Sequence, residues 1–222
     1  MSQYKKIYED DHILAVSKPR GILTVGNKPG QKNLLDEMRK EYEQKQIRLR
    51  PLNRLDRDTS GIVLTAKTKE CFHEAVENKK FSGSEKTYVA LIKGVPRFKK
   101  GKITFALPSR QDKKKLLPAQ TEYRILKTYF FRVGTASLVE AKITSGRFHQ
   151  IRRHFSMIHH PLLMDMEYME KKDFKYFKKI MPFGHYLLHA QKISFNHFVT
   201  GKRVDIEAEM PREFRRSVAL FE

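Results

Sequence analysis

The sequence predicts a mixed α/β (α+β) fold with a largely antiparallel sheet and flanking helices, and three patterns predict it. Val139, Ala141 and Ile143 alternate with Leu138, Glu140 and Lys142, and Val204, Ile206 and Ala208 alternate with Arg203, Asp205, Glu207 and Glu209 after a Thr200-Gly201 turn. This period of two suits antiparallel strands with one wet face. Leu35, Met38 and Tyr42 recur at helical spacing instead. Third, the apolar run Ile62-Val63-Leu64-Thr65-Ala66, bounded by Gly61 and Lys67, suits a strand buried on both faces.

In chain order, the opening reads as two strands joined at Asp10-Asp11, then the Leu35 helix, then a charged loop and the apolar strand. In Glu70 to Val76 the residues Phe72, Ala75 and Val76 mark a helix face and make Cys71 a packing residue. Lys99-Lys100-Gly101-Lys102 and Lys113-Lys114-Lys115 read as basic loops around a strand from Ile103 to Leu107. After Gly146 a helix is expected, with Phe148, Ile151, Phe155 and Ile158 as its apolar stripe and His149, Arg152, Ser156 and His159 one residue further round. No repeats or low-complexity tracts interrupt the chain. At 222 residues and 40% hydrophobic content it can bury one core comfortably, so a single domain over 1–222 is expected.

Lysine and arginine number 45 against 25 acids, a formal net charge of +20. That imbalance points to a polyanionic partner. A membrane is not expected, because there is no apolar run of about 18 residues and no signal segment behind Tyr4-Lys5-Lys6. The single cysteine rules out an intramolecular disulfide and a cysteine-rich zinc site, and a reducing cytoplasm is the simplest compartment. Nine histidines raise a metal site, but His149 and His154 lie about 140° apart on a helix, and no H-E-x-x-H pattern exists. No metal and no other cofactor is expected.

Chemistry concentrates in Asn53-Arg54-Leu55-Asp56-Arg57-Asp58-Thr59-Ser60-Gly61, directly ahead of the apolar strand. Asp56 lies between Arg54 and Arg57, whose charges favour an ionised carboxylate. Such a group can act as nucleophile or base. The same residues could simply cap a turn.

This segment resembles the R-L-D-x-x-T-S-G motif of the RluA-type pseudouridine synthases, which isomerise uridine within RNA. Three further stretches are similar to that family in the same order. Ile7 to Gly21 looks like its opening strand pair and K-P-x-G turn, Lys86-Thr87-Tyr88-Val89-Ala90 with Gly94 like its K-x-Y-x-A-x-x-x-G strand, and Ser145 to Arg152 like its T-G-R-x-H-Q-I-R segment. His160-Pro161 followed by Asp165 fits its H-P-x-x-x-D.

The resemblance implies a long curved mixed sheet crossed by an RNA cleft, the pseudouridine synthase fold. It implies Asp56 as the reacting carboxylate, toward the sugar C1′ or uracil C6 or as an acid-base group on a glycal path. It further implies Arg152 as the partner of Asp56, and Tyr88 as a ring that stacks on the flipped uracil and accepts a proton. Arg54 would fill the gap left by the extruded base, and Arg57, Arg147, His149 and Arg153 would contact RNA. Two positions depart from the pattern: Asn53 stands where histidine is common, and Met164 and Met166 flank Asp165 where glycine commonly precedes it.

The chain begins at the core's first strand, so no separate S4-type RNA-binding domain is expected ahead of it. Arg152-Arg153-His154 resembles the tRNA-modifying subgroup, and so does an insertion from Met166 to Pro182, which favours tRNA over rRNA. In that insertion Phe174, Phe177 and Met181 would dock a short helix, with Lys171, Lys175 and Lys178 on another face as either a solvated stripe or RNA contacts. A monomer is expected. The alternatives are a catalytically degenerate RNA-binding paralogue, or a metal-dependent nuclease, for which paired acids and ligand spacing are lacking.

Overall fold

All seven residues of the strand Ser60–Ala66 are buried, and its neighbours explain why. The computed structural model describes residues 4–26, 28, 30–131 and 134–221. Its strands are β1 (Lys5–Glu9), β2 (Ile13–Lys18), β3 (Arg50–Pro51), β4 (Ser60–Ala66), β5 (Glu85–Lys93) and β6 (Lys100–Ile103). They continue with β7 (Leu107–Pro108), β8 (Leu116–Leu117), β9 (Thr121–Phe131), β10 (Gly134–Ile143), β11 (Leu188–Asn196) and β12 (Arg203–Glu207). The α-helices are α1 (Leu34–Glu43), α2 (Lys69–Phe72), α3 (Gln150–Met157), α4 (Lys171–Ile180) and α5 (Arg212–Ala219). Two units form: Met1–Lys86 with Ala190–Met210, and Thr87–His189 with Pro211–Glu222.

In the first unit the hydrogen-bonded order is β1-β2-β4-β11, with β3 paired to β4 and β12 to β11. β4 is therefore an interior strand, which is what its unbroken apolar run requires. The β1–β2 turn closes on Asp10, whose carboxylate accepts from the N–H groups of His12 at 2.8 Å and Ile13 at 2.7 Å. β2 runs antiparallel to β4, from Ile13 opposite Ala66 to Lys18 opposite Gly61. Helix α1 buries Leu35, Met38 and Tyr42, as their spacing predicts, and Asn33 caps it by accepting from Asp36 N–H at 3.0 Å. Cys71 packs in the core with Ile62, Leu64 and Phe195. Val76 does not join it and is exposed. After Phe72 the chain widens into a π-type turn, His73–Glu77, and the wider winding carries Val76 out of the face that 3.6 residues per turn would give it.

In the second unit the order is β5-β10-β9-β6. β9 and β10 pair antiparallel, from Phe131 opposite Gly134 to Glu122 opposite Lys142. Val139, Ala141 and Ile143 point inward, as their alternation predicts. Two expectations fail here. Lys100-Gly101-Lys102 is not loop but part of β6, at the end of the strand order, where lysines suit an edge. Nor does a strand run from Ile103 to Leu107. Residues 104–106 leave the sheet because the buried His154 ring donates from Nε2 to the Phe105 carbonyl at 2.9 Å, with Nδ1 2.8 Å from the Thr121 hydroxyl. A carbonyl can only accept, so Nε2 carries the proton, and burial lowers the pKa of this ring.

Helix α3 also departs from expectation at its start. His149 is left-handed, with φ of 52°, so the helix begins at Gln150 and Phe148 is turned off the apolar stripe into solvent. Ile151 and Phe155 keep the stripe. Helix α4 follows its pattern: Phe177 is buried, Phe174 and Met181 are half-buried, and Lys171, Lys175 and Lys178 are exposed. Asp173 ties it to Lys93 through an ion pair. Among the described residues no helix is long and apolar enough to cross a membrane.

Candidate active site

Asp56 belongs to the first unit, while Tyr88 and Arg152 belong to the second. The Asp56 loop is held by the body on both flanks. On one, Thr24 and Leu55 exchange two hydrogen bonds: the Thr24 hydroxyl donates to the Leu55 carbonyl at 2.9 Å, and the Leu55 N–H donates back to Thr24 Oγ1 at 3.0 Å. On the other, the Gly21 N–H donates to the Arg57 carbonyl at 2.8 Å, and Arg57 Nε donates to the Gly21 carbonyl at 3.0 Å. Between these clamps Leu55 is buried, Asp56 is half-buried, and Arg54 and Arg57 are exposed. A tight turn, Thr59 N–H to the Asp56 carbonyl at 3.2 Å, returns the chain into β4. At its start Gly61 has φ of 113°, and a Cβ there would lie 2.2 Å from the Ala190 carbonyl oxygen, so the close approach of β11 admits only hydrogen.

Sequence reasoning gave no role to two residues that hold this loop in place. Asn53, one of the departures, bridges β4: its side-chain amide donates to the Ile62 carbonyl at 3.1 Å, and its Oδ1 accepts from the Leu64 N–H at 2.7 Å. Lys18 is fully buried beneath the loop, and its ammonium donates to the carbonyls of Ile22 (2.8 Å), Pro19 (2.9 Å) and Arg57 (3.0 Å). Burial pushes its pKa down to about 7, with Asp58 and then Asp56 pulling the other way. The K-P-x-G stretch was a visible signal, but nothing in it says that the lysine turns inward.

In the second unit Tyr88 lies within β5 and is 8% exposed. Arg152 is buried on α3 and makes a bidentate pair with Asp165, Nε to Oδ2 at 2.7 Å and Nη2 to Oδ1 at 2.9 Å. Nη2 also reaches Glu167 at 3.0 Å. The guanidinium lies over the rings of Tyr186, 4.5 Å from its centroid, and Tyr168, at 4.9 Å. Burial resists ionisation of Glu167, yet His149 and Arg152 beside it hold its carboxyl below the usual range. The fork is therefore fixed in plane and position by groups that H-P-x-x-x-D announced only through Asp165.

His149 joins this cluster, with Nδ1 2.9 Å from the Tyr168 hydroxyl and 3.4 Å from Glu167, and its ring stacks on exposed Phe148 at 3.7 Å. Arg147 Nε donates to the Pro118 carbonyl at 3.3 Å and Arg153 to the Pro108 carbonyl at 3.5 Å, so both brace the β7–β8 hairpin. Gln150 organises the turn before α3, accepting from the Ser145 hydroxyl and the Arg147 N–H and donating to the Gln120 carbonyl. Lys171, Lys175 and Lys178 stand on the exposed face of α4.

Comparison with known proteins gives the same family. The chain is 31% identical to the tRNA pseudouridine synthase C of Pectobacterium carotovorum over 97% of its length and 61% of that protein's. It is 34% identical to the ribosomal large subunit pseudouridine synthase C of Rickettsia bellii over 95% of its length and 69% of that protein's. The chain thus spans about six- to seven-tenths of these curated relatives. The solved structure of human RNA pseudouridylate synthase domain containing 1 shares the fold, with a TM-score of 0.76 at 22% identity, covering 95% of this chain and 84% of that one. Residues 12–157 match the family model described as RNA pseudouridylate synthase, and the chain belongs to that family.

Proposed function

We propose that this protein isomerises uridine to pseudouridine in RNA, with tRNA as its substrate, and that Asp56 carries the reaction. The observation that supports this reading most directly is the Asp56 loop itself, clamped through Leu55 and Arg57 while Arg54 and Arg57 point to solvent. A fixed backbone beneath a half-buried carboxylate is the preorganisation that attack on a sugar or base demands. The reaction breaks the C1′–N1 bond, turns the uracil and forms C1′–C5. N1 gains a proton and C5 loses one, so no oxidant and no energy source enters. A paired base hides these atoms, and the nucleotide must leave its stack at a cost of a few kcal/mol, offset by contacts in the pocket.

In this reading Asp56 promotes glycosidic cleavage, Arg152 balances its charge, Tyr88 stacks on the uracil and takes the C5 proton, and Arg54 occupies the vacated place in the RNA. Tyr88 sits inside a strand, which suits a ring that must hold one orientation. The tRNA preference rests on the Arg152-Arg153-His154 pattern and on the name of the Pectobacterium relative.

Purified protein is incubated with total tRNA and with rRNA, and pseudouridine is mapped by carbodiimide treatment and primer extension. Wild type should mark specific tRNA uridines, and Asp56→Asn should mark none while still binding RNA, because affinity comes from many phosphate contacts. Turnover by Asp56→Asn at the wild-type rate would sink the role of Asp56. New marks in rRNA alone would overturn the tRNA preference. Tyr88→Phe should bind normally and react more slowly, and equal rates would remove its proton-transfer role.

A further inference from the structure

Lys18 is the last residue of β2, opposite Gly61 of β4, and its side chain is fully buried. A lysine without accessible surface cannot meet a phosphate, so the polyanion that the net charge calls for is not its partner. Its hydrogen bonds account for it instead. An ammonium has three N–H donors and no acceptor, and here all three are used, on the carbonyls of Ile22, Pro19 and Arg57. Two of these carbonyls belong to the turn that follows Lys18, and the third lies in the reactive loop, one residue after Asp56.

One charged atom therefore ties turn and loop together. The Arg57 carbonyl that it holds fixes the backbone on one side of Asp56, while Thr24 fixes it at Leu55 on the other. We propose that Lys18 is a positioning residue of the reaction: its ammonium holds the Arg57 peptide so that the Asp56 carboxylate is presented in one orientation, and it does so without touching the RNA. The inference rests on the role of Asp56 proposed above.

Protonation then gates the clamp. A neutral amine keeps two N–H donors for three carbonyls, so one carbonyl loses this partner. The Arg57 carbonyl still accepts from the Gly21 N–H at 2.8 Å, and a buried carbonyl left with no donor is costly, so Arg57 is the one released. Burial pushes the Lys18 pKa down to about 7. The charged groups that face it are Asp58 and Asp56 of the loop, which raise it, and Arg20 of the turn, which lowers it, while the Arg57 side chain is engaged with the Gly21 carbonyl. The clamp is closed below that pH and loosens above it.

Pseudouridine formation is timed in single turnovers on total tRNA and rRNA from pH 6 to pH 9 for wild type and Lys18→Met, and the backbone amide signals of Arg57 and Asp58 are followed over the same range without RNA. At pH 6 the variant should be slower by about 10- to 100-fold, the scale of a misplaced reacting group. Its RNA affinity should stay within about two-fold of wild type, because affinity comes from phosphate contacts that a buried lysine does not make. The ratio of the two rates should fall toward one by pH 9 with a midpoint near 7, which cancels any limb that both proteins share, and the wild-type loop signals should move with the same midpoint while those of Lys18→Met stay still. A ratio independent of pH, equal rates at pH 6, or a loss of RNA affinity in place of rate would each overturn the proposal. If Lys18→Met does not fold, wild type decides alone: loop signals without a transition between pH 6 and pH 9 overturn it. Loop signals that respond while no RNA is modified refute the uridine reaction and leave the clamp standing.

Discussion

Asn53 and Leu64 are joined by a 2.7 Å hydrogen bond, the Leu64 N–H donating to Asn53 Oδ1, while the other end of the same amide donates to the Ile62 carbonyl. One side chain thus replaces a strand partner for two residues of β4, next to the loop that bears Asp56. Asn53→Leu removes both bonds and leaves two buried backbone groups unpaired, at about 1–3 kcal/mol for each such group. A lower urea midpoint with an unchanged slope is expected. Asn53→Asp keeps the acceptor for Leu64 and should lose less.

Arg152 and Asp165 form a buried bidentate pair, 6% and 1% exposed at their side chains. Asp165→Ala removes the bidentate half of this pairing and leaves Arg152 with Glu167, so it should destabilise the protein by about 1–3 kcal/mol, the scale of lost hydrogen bonds to a charged group. Asp165→Asn keeps the shape and one acceptor and should cost less. Equal denaturation midpoints for Asp165→Ala and wild type would show that the Asp165 pair adds nothing to stability.

Lys18 gives a pH dependence whose sign follows from its depressed pKa. In the folded chain the ammonium releases its proton near pH 7, while the unfolded chain holds it to its ordinary value of 10.5. Between those values the unfolded state binds more protons, and stability from this group rises with pH. Below about pH 7 both states are protonated and the contribution is flat. Lys18→Met should lack the rise, and the difference between the two proteins in urea midpoints from pH 6 to pH 10 measures it. Parallel curves would remove Lys18 as the source.

The exposed lysines of α4 admit a direct test. If Lys171, Lys175 and Lys178 track the RNA backbone, replacing all three by alanine should flatten the dependence of log K on log salt by about 2–3. Rates on bound substrate should not change. Superimposable slopes would show that this face contacts only solvent.

Much of the fold was legible because its signals are local. The β4 run, the alternation of Val139, Ala141 and Ile143, and the spacing of Leu35, Met38 and Tyr42 each record the environment of a single element. The failures were places where a backbone irregularity or a distant group reset the local period. A left-handed His149 turned Phe148 outward, a π-type turn displaced Val76, and His154 drew residues 104–106 from the sheet. At the site, Asp56 was legible as an acid among cations in a loop. The inward turn of Lys18 and the bridge made by Asn53 were not, because both serve backbone carbonyls and N–H groups that no side-chain pattern displays.

Gly61 and Gly21 both have positive φ, at 113° and 87°, yet they differ in what surrounds them. Nothing lies within 4 Å of a Cβ at Gly21, so asparagine can replace it for about the cost of a left-handed backbone, roughly 1 kcal/mol. At Gly61 the Ala190 backbone already occupies the space. A library randomised at both positions and sorted for folded protein should therefore return several residue types at position 21 and glycine alone at position 61. The register of the Asp56 loop is consequently written into one position that tolerates no alphabet at all, and recovery of alanine there at the frequency of glycine would show that β4 and β11 can part.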